Sequence, residues 1–377
     1  MDGRGTDACA AAGAAARAAV GSGPGPGPGM DAARPVRIAN IEVLRLLAAL
    51  GVVLHHLGHY GRELVGVSRE FLAWPIFVGF PVPLFFAISG YVLAGSMERA
   101  SLGRYLAGRV LRLYPGYWLA LALFLLSAGL ALPGSASAPL TLPSAATLGL
   151  WPAGRDGVPY FLGVEWSLVY EVFLSAALGL LALAGGARRR ELVALWLGLL
   201  CAKAIYRPNL YSDPLPLGPV IALSAFNAPF LAGILLRDWR FSRPGLRGPA
   251  LLLLPLLLAA AATRPSLELA WLWWGAAAVL LLWLAIDLPQ LSPRHPLVRL
   301  GACTYGLFLM HVPLQLAALR WAAGQSWQGL GGALWLAGAV ALGGGLGFGA
   351  LEARLHGWLR ARTMGARSGT AAPRAWP

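Results

Sequence analysis

The stretch Asn40 to Tyr60, NIEVLRLLAALGVVLHHLGHY, decides the fold of this chain. Leu44 to Leu54 is apolar apart from Arg45, and the ionisable residues crowd the two ends, with Glu42 and Arg45 at one and His55, His56 and His59 at the other. Such a run reads as a membrane-spanning helix. A charged group at the centre of a bilayer costs about 2.5–3.5 kcal/mol on the mildest scales, so intramembrane ionisable residues are functional candidates by default. Glu42 and Arg45 are three residues apart, and Arg45 and His56 are eleven apart. At about 3.6 residues per turn, eleven residues make about three turns, so Arg45 and His56 share a face; at about 1.5 Å rise per residue they lie about 16 Å apart. They cannot touch. One can anchor a group near one membrane surface while the other works deeper in.

Composition extends this reading to the whole chain. Hydrophobic residues make up 58% and charged residues 12% of the 377 positions, whereas a soluble domain carries about 25% charged residues. The expected fold is all-α: a polytopic membrane protein with about ten transmembrane helices. The spans are drawn at 38–58, 71–96, 116–132, 160–184, 191–206, 219–236, 249–262, 267–286, 299–319 and 329–351. The net charge of +14 would suggest nucleic acid in a soluble protein. Here it marks topology, because Lys and Arg collect in cytoplasmic loops. Alternate loops are Arg-rich, among them Arg99 to Arg112, Arg188 to Arg190 and Arg237 to Arg247, while the opposite loops hold single basic residues or pairs. Both termini are therefore expected to be cytoplasmic, with Arg45 toward that face and His56 toward the outer one. The expected location is the cell's inner (cytoplasmic) membrane, with the lipid bilayer as a partner and no nucleic acid.

Residues 1–36 are rich in Ala, Gly and Pro, including GSGPGPGPG, and read as a disordered extension without the apolar run of a signal peptide. Met30 is a candidate natural start. Residues 356–377 read as a basic cytoplasmic tail. Cys9, Cys201 and Cys303 are odd in number and far apart, so neither a disulfide framework nor a metal-ligand spacing is visible.

Several polar residues in or beside the other spans need explaining. PVPLFFAISGYVLAG carries Pro81 and Pro83 as a kink, and Ser89-Gly90 either packs closely on another helix or lines a site. In RYLAGRVLRLYPGYW, Arg109 and Arg112 lie on one face of a surface helix; they are either positive-inside charge or a phosphate site suited to forked guanidinium groups. GVEWSLVYEVFLS places Glu165 near the membrane interface beside Trp166, and Glu171 deeper, with Ser167 one helical turn before it. A buried carboxylate needs a partner or a proton. Lys203, near the outer end of its span, is read as snorkelling to the surface. Asn227 beside Pro229 is read as satisfying freed backbone groups. LGACTYGLFLMHVPLQ holds His311 in mid-helix, seven residues after Thr304, and only six histidines occur in the chain.

Taken in order, these motifs resemble those of the integral-membrane acyltransferases of acyltransferase family 3, which includes sugar and exopolysaccharide O-acetylases. Glu42, Arg45 and His56 resemble the family's acidic-x-x-Arg then His pattern. FFAISGYVL resembles Phe-Phe-x-x-Ser-Gly-Phe, with Tyr91 for the last Phe. Arg109, Arg112 and Pro115 resemble its Arg-x-x-Arg-x-x-Pro loop. Trp166, Ser167 and Glu171 resemble Trp-Ser-Leu-x-x-Glu. Leu300, Gly301, Thr304, Tyr305, Phe308 and His311 resemble Leu-Gly-x-x-Ser-Tyr-x-x-Tyr-Leu-x-His, with Thr for Ser and Phe for Tyr. The resemblance covers about residues 37–355, which it marks as a transmembrane acyltransferase domain.

The resemblance implies transfer of an acyl group, acetyl by default, from cytoplasmic acyl-CoA to a hydroxyl of a carbohydrate or lipid-linked glycan acceptor. No bound cofactor and no metal are implied; acyl-CoA is the donor substrate. The expected catalytic residues are His56, as general base or transient acyl carrier, with Glu171 and Glu42. The expected substrate-binding residues are Arg45, Arg109, Arg112, Ser89, Trp166, Ser167, Tyr305 and His311. A neutral imidazole suits activation of an alcohol, and arginine forks suit the phosphates of CoA. Glu171 would orient His56 if their spans meet. The alternative is a proton-coupled transporter using the same His, Glu and Arg set, although no internal repeat of the transporter kind is visible.

Overall fold

The computed structural model describes residues 38–66, 79–131, 148, 162–208, 218–239, 244–264, 266–325 and 331–364. The expectations for the N-terminal extension, for Met30 and for residues 71–78 lie outside them. The described elements are helical, and all lie in one compact unit that begins at Ala39. They are α1 (Ala39–Val65), α2 (Pro81–Met97), α3 (Leu102–Ala131), α4 (Glu165–Ala182), α5 (Gly186–Tyr206), α6 (Ala228–Trp239), α7 (Arg247–Ala262), α8 (Leu267–Asp287), α9 (Pro296–Gly301), α10 (Thr304–Gly324) and α11 (Gly331–Met364). Five of them, α1, α3, α4, α8 and α11, are long and apolar enough to cross a membrane; α2 and α7 are shorter apolar helices.

α1 is the hub, packed against α2, α8, α9, α10 and α11. It runs past the expected end at residue 58 because nothing in GHYGREL breaks a helix until Gly66, whose φ of 70° gives the left-handed turn that ends many helices. Ala48, Ala49, Val52 and Val53 are buried along it. α3, by contrast, turns Val110, Trp118, Leu123 and Leu126 outward, and α7 does the same with Leu251, Leu252 and Leu256, as helices facing hydrocarbon rather than protein should.

Prolines act differently from the sequence expectation. Pro81 and Pro83 do not kink a helix; they stand at the first turn of α2, where a missing N–H loses nothing. Pro115 lies inside α3 without ending it, so the Arg-rich stretch and the following span form one continuous helix. Proline cannot bond the carbonyl four residues before it. That carbonyl, of Leu111, lies 3.1 Å from Nδ1 of His356 on α11, which supplies the missing donor. The span expected at 219–236 is split: two 3₁₀ turns, Gly218–Leu223 and Ala225–Asn227, precede α6. Asn227 donates through Nδ2 to the Ile221 carbonyl at 2.6 Å, stitching the turn as expected of a residue that satisfies freed backbone.

Ser89-Gly90 is a helix contact. A Cβ on Gly90 would stand 2.0 Å from the Phe230 carbonyl oxygen, and one on Gly233 of α6 would stand 2.2 Å from the Ala87 carbonyl oxygen. The two helices thus cross backbone to backbone. Lys203 does not snorkel: its ammonium pairs with the buried carboxylate of Glu268, joining α5 to α8. The cause is the protein neighbour itself, since the buried carboxylate on α8 offers the ammonium a fixed partner. Arg247 and Asp287 tie α7 to α8 at 2.5 Å. Arg189 and Asp238 do the same for α5 and α6.

Candidate active site

Two groups of polar side chains lie along α1. The first surrounds its N-terminal half. Arg45 Nη1 lies 3.4 Å from Glu42 Oε1 on the same helix. On α3, Arg109 Nη2 lies 2.5 Å from Glu171 Oε1 of α4, and its Nε donates to Ser175 Oγ at 3.3 Å. One turn further on, Arg112 Nη1 meets Glu352 Oε1 of α11 at 2.6 Å. The Arg112 guanidinium also lies over the Tyr305 ring, 4.8 Å from its centroid, while Tyr305 donates its hydroxyl to the Leu113 carbonyl at 2.6 Å. Arg45 is within electrostatic reach of Arg109, Arg112 and Glu171, so the three arginines form one group.

Two of the pairs have an inner and an outer member, whereas Arg109 and Glu171 are covered about equally, at 17% and 12% exposed. The side chains of Arg45 and Arg112 are 30% exposed, and those of Glu42 and Glu352 only 8% and 2%. In those two pairs the carboxylate anchors the fork from inside and leaves guanidinium N–H groups facing outward. A guanidinium has five N–H donors, so one carboxylate bond leaves several for a ligand. The three arginines and three carboxylates balance in charge, so a polyanion arriving here meets oriented donors rather than a strong net field. The packing is close: a Cβ on Gly116 would stand 2.7 Å from Glu352 Cγ and 3.1 Å from Tyr305.

The second group lies further along α1. His56 Nδ1 is 3.2 Å from the Val52 carbonyl oxygen and 3.0 Å from Nε2 of His311 on α10. His311 is fully buried, with its Nδ1 2.8 Å from the Phe308 carbonyl oxygen. The Tyr60 ring stacks on His56 at 5.8 Å, and the Phe85 ring lies edge-on to Phe308. Gln315, one turn beyond His311, donates to the Val53 carbonyl at 2.8 Å and fixes α10 against α1. His59 pairs with Glu63 at 3.2 Å, away from the His56–His311 contact. His55 packs on both His56 and His59.

The sequence-derived set is only partly gathered. Glu42, Arg45, Arg109, Arg112 and Tyr305 meet in the arginine group, and His56 meets His311. Glu171 joins the arginine group through Arg109, so the partner of His56 is His311 and not Glu171. Ser167 turns its hydroxyl back to the Val164 carbonyl. Trp166 packs with Tyr170, Phe226 and Trp271 in an aromatic wall behind α4. Glu165 is buried and folds its carboxylate onto the N–H groups of Leu162 and Val164, at 2.6 and 3.0 Å, around Gly163 with its φ of 76°. Ser89, half-buried, follows Phe85 by one turn on α2. Two residues were not read from the sequence, Glu352 and Gln315. Glu352 lies one residue beyond the span drawn at 329–351, with no motif around it to single it out. Gln315 carried a usable signal, being four residues after His311 on the same face. Among the described residues, no cluster of three His, Cys, Asp or Glu side chains has the arrangement of a metal site.

A family model described as an acyltransferase domain matches residues 38–351. The chain belongs to acyltransferase family 3. No curated protein and no solved structure matches it. As a member of acyltransferase family 3, with five apolar helices of spanning length, it is a multi-pass membrane acyltransferase. Both polar groups lie on helices inside the matched segment, apart from Glu352, which follows its last residue.

Proposed function

We propose that the protein moves an acyl group, acetyl by default, from cytoplasmic acyl-CoA to a hydroxyl of a carbohydrate or lipid-linked glycan acceptor. In this reading ten helices cross the inner membrane with both termini in the cytoplasm. The residues from 37 to 355 form the catalytic unit. The observation that carries the reading is the layout of α1, with a braced arginine group at one half and His56 at the other. By helix rise, Arg45 and His56 are about 16 Å apart along one rod, a span that the pantetheine arm of CoA bridges.

Arg45, Arg109 and Arg112 hold the phosphates of CoA through charge-assisted hydrogen bonds, with Glu42, Glu171 and Glu352 keeping the forks in place. Tyr305 supports Arg112 from beneath. His56 takes the proton of the acceptor hydroxyl as it attacks the thioester carbonyl, or first carries the acyl group itself. Ser89, Ser167 and Trp166 act in this reading by packing the helices around the site rather than by touching substrate. The test is mass spectrometry of surface glycans from cells with and without the protein. The expected result is an acyl ester present only with it. Unchanged glycans, together with acyl-CoA-independent solute flux, would overturn the proposal.

A further inference from the structure

His311 was assigned by resemblance to substrate binding, but its contacts give it another task. Its Nδ1 faces two backbone carbonyls, of Leu307 at 3.2 Å and Phe308 at 2.8 Å. Carbonyl oxygens only accept, so this nitrogen carries the proton and donates. A neutral imidazole has one N–H, so His311 Nε2 is then a bare acceptor. The atom facing it at 3.0 Å is His56 Nδ1, which also faces the Val52 carbonyl at 3.2 Å. Both neighbours of His56 Nδ1 are acceptors, so it too must be the protonated nitrogen. The hydrogen-bond network thus assigns both tautomers. The lone pair of His56 is left on Nε2, where no hydrogen bond is made among the described residues.

We propose that His311 is the positioning residue for His56: it fixes the His56 ring with Nε2 as the basic nitrogen and accepts the Nδ1 proton when Nε2 is protonated. The inference rests on the acyl-transfer reading above and selects the general-base route within it. The acceptor O–H bond breaks, and its proton goes to His56 Nε2 as the oxygen bonds the thioester carbon. The His56 Nδ1 proton shifts to His311 Nε2, so the positive charge spreads over two rings and is met by the carbonyls of Phe308 and Leu307. The C–S bond then breaks, the protons return along the same path, and the thiolate of CoA leaves as the thiol. A lone imidazolium in a protein core would be costly; sharing the proton with a ring already held by two carbonyls lowers that cost. Gln315 keeps the pair in register, since its bond to the Val53 carbonyl locks α10 to α1 one turn away.

Two measurements test this. The first is ¹⁵N NMR of the full-length wild-type protein with labelled histidine, reconstituted in lipid, with His56→Ala used to assign the His56 signals. The expected spectrum has Nδ1 of His56 protonated and Nε2 bare. A His56 signal with the proton on Nε2 would overturn the proposal, whether or not acyl transfer is detected. The second is steady-state kinetics of His311→Gln and His311→Leu. Gln offers an acceptor oxygen near the position of Nε2 but cannot take the proton; Leu offers neither. The expected order of kcat is wild type, then Gln, then Leu, the last down by about 100-fold, with the KM for acyl-CoA unchanged. A raised KM with unchanged kcat would return His311 to substrate binding and overturn the positioning role. Absence of any acyl-CoA-dependent transfer by the wild type would instead remove the reaction on which the inference rests.

Discussion

Removing the charge from either side of the Arg112–Glu352 pair should have unequal effects, and the structure sets which is larger. The two side chains meet at 2.6 Å, but Glu352 is 2% exposed and Arg112 30%. In Glu352→Gln the stranded group is a guanidinium that keeps water on about a third of its surface. The expected loss lies between the exposed-pair value of about 0.2–1 kcal/mol and the buried-pair value of about 3–5 kcal/mol, so about 1–2 kcal/mol. In Arg112→Gln the stranded group is a carboxylate with almost no water, and the expected loss is the full buried-pair value of about 3–5 kcal/mol. The double variant strands neither, so its loss should fall short of the sum by about 2 kcal/mol. The assay is denaturation of the purified protein in mixed micelles, followed by tryptophan fluorescence, for the wild type and all three variants. A larger loss for Glu352→Gln than for Arg112→Gln, or losses that simply add, would refute the picture of an inner carboxylate bracing an outer fork.

Three further outcomes follow from the packing and the buried ion pairs. Gly90→Ala should destabilise the protein by about 1–3 kcal/mol, because its Cβ would meet the Phe230 carbonyl oxygen at 2.0 Å and backbone cannot yield as a side chain does. Gly103→Ala, with nothing within 4 Å of its Cβ, should instead be neutral or stabilising by about 0.5–1 kcal/mol in the same denaturation assay. Lys203→Met should cost about 3–5 kcal/mol by stranding the buried Glu268 carboxylate. A change within about 0.5 kcal/mol, the range of an ordinary surface substitution, would restore the snorkelling reading.

What could be read from the sequence was what a single helix contains. The face shared by Arg45 and His56, the all-helical class and the chemistry-bearing motifs are fixed by spacing within one segment. Partnerships across the bundle were out of reach. Nothing in EWSLVYEVF says that Glu171 takes Arg109 rather than His56, because that depends on how α3 and α4 are rotated against each other. The His56–His311 contact joins residues 255 positions apart. The donor that meets the Leu111 carbonyl freed by Pro115 is on His356, again from the far end of the chain. Lys203 departs from the expectation for the same reason: snorkelling is the default of a lysine with no known neighbour, and its neighbour is on α8. Glu352 and Gln315 became visible only when α10 and α11 closed on α1 and α3.

The central claim is that His56 activates a hydroxyl toward acyl-CoA, and it is tested most directly with the purified protein in proteoliposomes. Labelled acetyl-CoA and a carbohydrate acceptor are supplied, and ester formation is followed for the wild type and for His56→Ala matched for folded protein by thermal melt. The account predicts labelled ester from the wild type and a loss of at least about 100-fold in the variant, with the variant still binding acyl-CoA through Arg45, Arg109 and Arg112. Equal ester formation by the two proteins would contradict it.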